Sequence, residues 1–255
     1  MLDIRQIPAF TDNYIYAALE PESGFVAIVD PADAAPVIAA LERWGWTPTH
    51  ILSTHHHADH VGGNLELKER YGLIIVGPKA DARRIPGIDV TVGDGERYPF
   101  GAEEAEVFDV PGHTRGHIAY WFARSKALFC GDTLFALGCG RLFEGTPEQM
   151  WSSLKKLRAL PGETRVYCAH EYTENNARFA LTVEPENAAL RRRAERVRAL
   201  RAKGEPTVPS LLSEEIETNP FLRADASEAL RARLKLRSAP PVDVFAEVRR
   251  RKDRF

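Results

Sequence analysis

Short apolar runs separated by turn residues predict β-structure at the start of the chain. The first two runs, 14–19 and 25–29, are rich in β-branched and aromatic residues, and the segment 21–24 between them (Pro-Glu-Ser-Gly) is typical of a hairpin turn. Asp30-Pro31 ends the second run, and the composition of residues 33–44, closed by Gly45, predicts a helix. The chain therefore opens with a β-hairpin followed by a helix.

In the middle of the chain, apolar strands alternate with polar loops and helices. The pattern predicts strands around 51–52 and over 73–76, 118–122, 127–130 and 165–168, and helices over 63–71 and 147–160, the second with Thr146 as its N-cap. Histidine or aspartate repeatedly follows the end of a strand, at His55, His57, Asp59, His60, His113, Asp132 and His170. Because side chains at strand ends can meet at one edge of a sheet, these seven residues predict a single site.

The last third of the chain has helical spacing. From about Thr173 it is rich in Ala, Arg, Leu and Glu, with apolar residues at Leu190, Ala194, Val197 and Leu200, and two further helices are predicted near 226–234 and 242–252. We therefore expect an α/β domain of residues 1–171 and a smaller helical domain of residues 172–255; the resemblance described below implies that the first is catalytic and the second binds substrate.

Composition and charge limit the binding partners and the cellular compartment that we expect for the protein. The 255 residues carry a net charge of −2, which gives no electrostatic case for binding nucleic acid or membranes. No apolar run approaches the ~20 residues needed to cross a bilayer, and the N-terminus lacks the order of a signal peptide. Three cysteines make a disulfide framework improbable on count alone. We expect a cytoplasmic monomer.

The segment Thr54–His60 contains the pattern His-x-His-x-Asp-His. Side chains two apart on extended backbone point the same way, so His55 and His57 can converge on one metal ion. Asp59 and His60 then lie at a turn, where they can face a second ion. Imidazole and carboxylate suit Zn, Fe or Mn. The alternative is a surface loop that binds metal adventitiously. The apolar strand before the motif and the Gly62-Gly63 turn after it instead favour a metal site that is part of the fold.

The seven candidates divide into two metal sites if one carboxylate is shared. Asp132 is the natural bridge because a carboxylate has two oxygens to share, and two ions ~3.5–4 Å apart would hold an acidified water. Of the other histidines, we expect His56 to point away from the metals in a supporting role and His50 to pack or lie at the surface. His117 either supports a ligand through a hydrogen bond or simply packs. Cys130, within a strand, is not expected to be a ligand.

These residues resemble the metallo-β-lactamase superfamily and, within it, the glyoxalase II family of thioester hydrolases. The resemblance extends from the histidine-rich loop to the C-terminus, through the segments Thr54–Asn64, Cys130–Phe135, Gly138–Gly145, Tyr167–Thr173, Asn219–Arg223 and Arg249–Phe255.

The resemblance implies a four-layer αββα sandwich with a helical C-terminal domain. It implies two divalent metal ions, zinc in the first place and iron or manganese as alternatives. It assigns His55, His57 and His113 to the first ion. It assigns Asp59, His60 and His170 to the second, with Asp132 bridging.

The implied reaction is hydrolysis of S-D-lactoylglutathione and related S-(2-hydroxyacyl)glutathione thioesters, the second step of methylglyoxal detoxification. A metal-bridging hydroxide would attack the thioester, and Asp59 and Asp132 would accept a proton from the bridging water. Glutathione would be held by Arg141, Tyr172, Arg249 and Lys252. Phe143 also belongs to the substrate-binding residues that the resemblance implies, but eukaryotic relatives carry a tyrosine there, whose hydrogen bond to glutathione a phenylalanine cannot make.

Three other functions are weighed against this one. A persulfide dioxygenase with one iron needs only two histidines and one aspartate, and the complete second ligand set disfavours it. A β-lactamase is disfavoured by Asp132 and the helical C-terminal region. The arginine-rich segments 191–193 and 249–252 could instead bind nucleic acid phosphates, or form solvated helix faces.

Overall fold

The structure is a computed structural model that describes all 255 residues. Backbone contacts divide the chain into two compact units. The first unit comprises residues 1–109 and 114–131, and the second comprises residues 110–113 and 132–255. The predicted domain boundary after residue 171 lies within the second unit, and the division into catalytic and substrate-binding domains there stays a prediction.

The first unit is built mainly from β-strands. One six-stranded sheet has the order β1-β2-β3-β4-β5-β6, antiparallel from β1 to β3 and parallel from β3 to β6. A second, antiparallel ladder has the order β10-β9-β8-β7. The elements are β1 (Asp3–Ala9), β2 (Asn13–Glu20), β3 (Phe25–Val29), α1 (Ala34–Trp44), β4 (His50–Leu52), α2 (Ala58–Val61), α3 (Asn64–Tyr71), β5 (Ile74–Pro78), a 3₁₀ segment (Lys79–Arg84), β6 (Val90–Val92), β7 (Arg97–Phe100), β8 (Glu103–Asp109), β9 (Ile118–Phe122) and β10 (Ala127–Gly131).

The predicted hairpin and first helix are confirmed. Glu20 pairs with Phe25 across the turn 21–24, which ends at Gly24 with a φ of 74°. The side chain of Asp33 caps α1 by accepting from the Ala35 N–H, and Gly45 ends the helix in the left-handed conformation.

Alternation along the strands of the first unit separates two apolar layers. One face of the first sheet, including Ile15, Ile28 and Ile51, packs with Leu41 of α1 and Leu67 of α3. The opposite face meets the second ladder, where the Tyr16 and Phe129 rings lie 5.8 Å apart. The buried Tyr120 hydroxyl donates to the Ser53 carbonyl oxygen at 3.0 Å. This bond ties the second ladder to the residue that precedes the histidine-rich loop.

The second unit is mostly helical, as the spacing of apolar residues predicts. Its helix α4 starts with a capping box between Thr146 and Gln149 and ends two residues before the predicted end. No helix in the structure combines the length and apolar character needed to cross a membrane. The elements are β11 (Leu134–Phe135), β12 (Gly138–Cys139), α4 (Pro147–Arg158), β13 (Arg165–Cys168), α5 (Thr173–Val183), α6 (Ala188–Arg201), β14 (Ser210–Leu211), α7 (Leu212–Thr218), a 3₁₀ segment (Pro220–Leu222), α8 (Glu228–Arg233) and α9 (Pro241–Asp253).

A buried polar network fixes the β11–β12 hairpin. The Asn219 amide donates to the carbonyl oxygens of Phe135 and Gly138 at 3.1 and 3.0 Å, and the Leu137 N–H donates to Glu215 at 2.9 Å. Asn219 and Glu215 are both fully buried, where loss of a hydrogen-bond partner costs about 1–3 kcal/mol. The hairpin leads directly into residues 140–145, so this network sets the position of Arg141.

Candidate metal centre

The first unit brings His55 and His57 together as predicted. Strand β4 ends at Leu52, and the loop that follows places His55 Nε2 3.1 Å from His57 Nδ1. Two ligands about 2.05 Å from a tetrahedral metal ion are about 3.3 Å apart. The spacing of these two nitrogens therefore fits a shared ion.

Asp59 and His60 form the second pair of the loop. We predicted them at a turn, but they lie in the short helix α2, which begins directly after His57. His60 Nε2 lies 3.6 Å from Asp59 Oδ2. The Asn13 amide donates to the Asp59 carboxylate at 3.2 Å and to its carbonyl oxygen at 3.1 Å, so a residue of β2 holds this candidate ligand in place.

Asp30 belongs to the site and was missed from the sequence. Its buried carboxylate accepts from the Thr54 N–H at 2.7 Å and from the Thr54 hydroxyl at 2.6 Å, and lies 3.1 Å from His60 Nδ1. Asp30, His55 and His60 each bring one ligand-type atom within 4.8 Å of the others. Asp30 follows the end of β3, which is the signal used for the other candidates, but we interpreted Asp30-Pro31 only as a strand terminator.

The remaining histidines of this unit support the site or the core. His56 Nδ1 lies 2.9 Å from Asp81 Oδ2. His117 donates from Nδ1 to the Ile118 carbonyl oxygen, and its ring stacks on that of His55 with centroids 4.4 Å apart. His50 packs against Phe25 and Phe100, and burial lowers its pKa.

The second unit groups the other three candidate ligands around one carboxylate. His113 Nε2 lies 3.4 Å from Asp132 Oδ2, and His170 Nε2 lies 3.4 Å from Asp132 Oδ1. Each oxygen of Asp132 therefore faces a different histidine, the arrangement that a bridging carboxylate requires. His113 donates from Nδ1 to the Arg141 carbonyl oxygen at 2.9 Å. That bond leaves the Nε2 lone pair directed towards Asp132.

Two aromatic side chains flank these histidines. The Tyr172 ring lies parallel to the His170 ring with centroids 4.7 Å apart. Phe143 is 63% exposed, and its ring centroid lies 5.2 Å from that of His113. Both aromatic residues, which the resemblance assigns to substrate binding, thus contact candidate ligands.

A group of cations surrounds Lys252 in the same unit. Burial, followed by the charges of Arg249, Arg178 and Arg141, lowers the pKa of Lys252 to about 8. The Lys252 ammonium donates to Asn175, and Arg249 is buried and donates to the Cys139 carbonyl oxygen at 2.9 Å. Arg178 was missed because a single arginine within a helix, outside the segments of the resemblance, carries no distinctive signal.

Several arginines of the two arginine-rich segments, 191–193 and 249–252, are paired with acids. Buried Arg193 contacts Glu215 and Glu214, and Arg250 and Arg251 both bond to Glu247. This pairing weakens the argument for a phosphate-binding face.

The donor set fits divalent metal ions. All seven candidate ligands offer an imidazole nitrogen or a carboxylate oxygen, and the close donor pairs within each unit are 3.1–3.6 Å apart. His60 and His113 each use the second ring nitrogen on an outer partner, which fixes the ring orientation as in established metal sites.

Comparisons with known proteins agree with this arrangement. Residues 14–170 match the metallo-beta-lactamase superfamily and residues 171–255 match the hydroxyacylglutathione hydrolase C-terminus. The crystal structure of ETHE1 from Myxococcus xanthus has a TM-score of 0.67 and 25% identity, covering 98% of both chains. That of TTHA1623 in a di-iron-bound form has a TM-score of 0.60 and 26% identity, covering 85% of this chain and 99% of the other. The predicted metallo-β-lactamase fold is confirmed.

A relative from Methylococcus capsulatus, named hydroxyacylglutathione hydrolase, is 63% identical over 255 residues, which cover all of this chain and 99% of the relative. The matched region thus spans the histidine-rich loop, the centre at Asp132 and the cations around Lys252. The chain belongs to the hydroxyacylglutathione hydrolase family.

Proposed function

We propose that this chain hydrolyses S-(2-hydroxyacyl)glutathione thioesters, including S-D-lactoylglutathione, to glutathione and a 2-hydroxy acid. The observation that carries the proposal is that Arg141 links two groups of the second unit: the cations around Lys252, and the ligand centre formed by His113, Asp132 and His170. Arg141 contributes its charge to the environment of Lys252, while its carbonyl oxygen holds His113 against Asp132. An anionic thioester bound by these cations would be directed to the ligand centre.

We propose two divalent metal ions as cofactors. His55, His57 and His113 would hold one, Asp59, His60 and His170 would hold the other, and Asp132 would bridge them. The donor spacings within each unit support this assignment, and the di-iron form of TTHA1623 is a precedent in a protein of the same fold. Zinc is our first choice, with iron or manganese as alternatives.

Bound divalent ions would supply an acidified water and an electrophile for the thioester carbonyl. Asp59 and Asp132 would take up the proton of the attacking water on a carboxylate oxygen. Lys252, Arg141 and Arg249 would bind the glutathione carboxylates through charge-assisted hydrogen bonds. Arg249 already donates N–H groups to Cys139 and Asp253. Because a guanidinium has five N–H donors, others remain for a substrate carboxylate. Glutathione leaves as a thiolate, so the reaction needs no separate general acid.

The test compares S-D-lactoylglutathione with the same acyl group on N-acetylcysteamine, which lacks carboxylates. Each charge-assisted hydrogen bond is worth about 1.5–3 kcal/mol, so we expect kcat/KM to be at least about 10-fold higher for the glutathione thioester. Protein stripped of metal by a chelator is the control and should hydrolyse neither. Equal and poor hydrolysis of both thioesters by the metal-loaded protein would contradict the proposal.

We also propose that the protein is a cytoplasmic monomer with the predicted domain division at residue 171. The three cysteines are buried and free, which suits a reducing compartment. Light scattering of the purified chain tests the monomer, and limited proteolysis near residue 171 tests the division.

A further inference from the structure

His56 lies between His55 and His57 in the histidine-rich loop (Thr54–His60, here called the ligand loop), and both of its ring nitrogens have a partner. Nδ1 lies 2.9 Å from Asp81 Oδ2, and the Arg84 guanidinium contacts Nε2. Arginine can only donate, so Nε2 accepts and the ring hydrogen lies on Nδ1, which donates to Asp81. The orientation of His56 is thus set by two residues that lie 25 and 28 positions further along the chain.

Asp81 is itself fixed by its surroundings. It is buried, and Arg84 Nη1 lies 3.5 Å from its Oδ1. A Cβ atom at Gly116 would lie 2.4 Å from the Asp81 Cγ atom, so the carboxylate packs directly on the backbone there. A side chain at position 116 would displace Asp81 from this place.

The backbone segment 116–118 also contacts the histidine-rich loop directly. The Ile118 N–H donates to the Thr54 carbonyl oxygen at 2.9 Å, and His117 stacks on His55. The loop is therefore held on both sides of the bond between residues 55 and 56: the His55 ring packs on His117, and the His56 ring is bonded to Asp81.

We propose that His56, Asp81 and Arg84 form a positioning network that keeps the His55 and His57 nitrogens at metal-ligand spacing. The inference rests on the proposed function, which makes His55 and His57 ligands of one ion. Rotation of the backbone at position 56 would move the two ligands relative to each other. Fixing the side chain of the residue between them opposes that rotation and preorganises the pair.

The test measures the apparent Zn²⁺ dissociation constant by competition with a chromogenic chelator, together with the melting temperature of the metal-free protein. Loss of a group that orients a metal ligand typically weakens affinity about 10–100-fold. We expect this loss in His56→Ala and Asp81→Ala, with little change in the metal-free melting temperature. His56→Asn, whose amide nitrogen takes the position of Nδ1, should recover most of the affinity, whereas His56→Gln, which mimics Nε2, should not.

Two controls separate the possible failures. His50→Phe changes a buried histidine of the same unit that packs on Phe25 and Phe100, and should leave the zinc affinity unchanged. If His55→Ala keeps full zinc affinity, the ligand assignment in the proposed function is wrong and the network falls with it. If His55→Ala loses affinity while the His56 and Asp81 variants stay within about twofold of wild type, only the network is refuted. Should an alanine variant not fold, the Asn and Gln variants of His56 decide, and equal affinities in these two would refute the network.

Discussion

We predict that Lys252 makes a pH-dependent contribution to substrate binding, and its size follows from the surroundings of the side chain. Burial and three neighbouring arginines lower the pKa of Lys252 to about 8, so the free protein loses this charge as the pH rises through that value. The carboxylates of a glutathione thioester stay ionised over the same range. We therefore predict that KM for S-D-lactoylglutathione increases above pH 8 because the neutral amine binds a carboxylate less well.

The size of the effect follows from the fraction of charged lysine. With a pKa of about 8 in the free protein, that fraction falls from about nine-tenths at pH 7 to about one-tenth at pH 9, so KM should increase about 10-fold. The increase cannot exceed the full contribution of the charge. Removing the side chain in Lys252→Ala should increase KM about 10- to 100-fold, the range for a hydrogen bond to a charged group.

The assay is steady-state hydrolysis from pH 7 to 9, corrected for spontaneous thioester hydrolysis. Wild type should show a rising KM with little change in kcat, as expected when an interaction contributes equally to ground-state and transition-state binding. Lys252→Arg is the matched control because its guanidinium stays charged, and its KM should be flat between pH 7 and 9.

Two results would refute this reasoning. A KM that rises equally in wild type and Lys252→Arg would assign the titration to another group. A Lys252→Ala variant with normal KM and reduced kcat would show that the lysine acts on the chemical step and does not anchor the substrate.

Three further predictions concern the ligand centre and the glutathione contacts. Asp132→Ala should lose bound metal and activity together, because its two oxygens face His113 and His170; elemental analysis beside the thioester assay checks this, and normal metal content would contradict it. Asp30→Ala should weaken Zn²⁺ affinity about 10–100-fold by releasing His60 Nδ1, measured by chelator competition. Phe143→Tyr should lower KM for S-D-lactoylglutathione about 2- to 10-fold if the hydroxyl makes one net hydrogen bond of about 0.5–1.5 kcal/mol, with no gain for the N-acetylcysteamine thioester.

The sequence predicted the β-hairpin, most helices and the candidate ligands because each has a strong local signal. Alternation and turn residues define the strands, and Asp33 and Thr146 mark helix starts through capping that the structure contains. The exact setting of Asp59 and His60 was missed. Four residues of helix α2 are too few to produce a recognisable period, so the segment looked like a turn.

The partners of the candidate ligands were harder to predict for a physical reason. A metal ligand must be one of a few residue types, which makes a histidine-rich motif conspicuous in one sequence. Its orienting partner can be any acceptor that folding brings near, such as the backbone carbonyl oxygen of Arg141 for His113, and a backbone carbonyl carries no residue identity at all. The carboxylate partners Asp30 and Asp81 could not be recognised from the sequence either, because aspartate is common in turns and at strand ends for reasons unrelated to a metal site.

The same distinction bears on how substrate specificity is encoded. Arg141 performs two separable tasks: its backbone orients His113, whereas its side chain adds charge beside Lys252. Substitution of the Arg141 side chain should therefore weaken glutathione binding while leaving the orientation of His113 intact. By contrast, Asn219→Ala would release the hairpin that precedes Arg141 and should disturb both tasks at once. We therefore expect specificity for glutathione to depend on charged side chains, and the alignment of Arg141 with the centre at Asp132 to depend on the buried Asn219 amide.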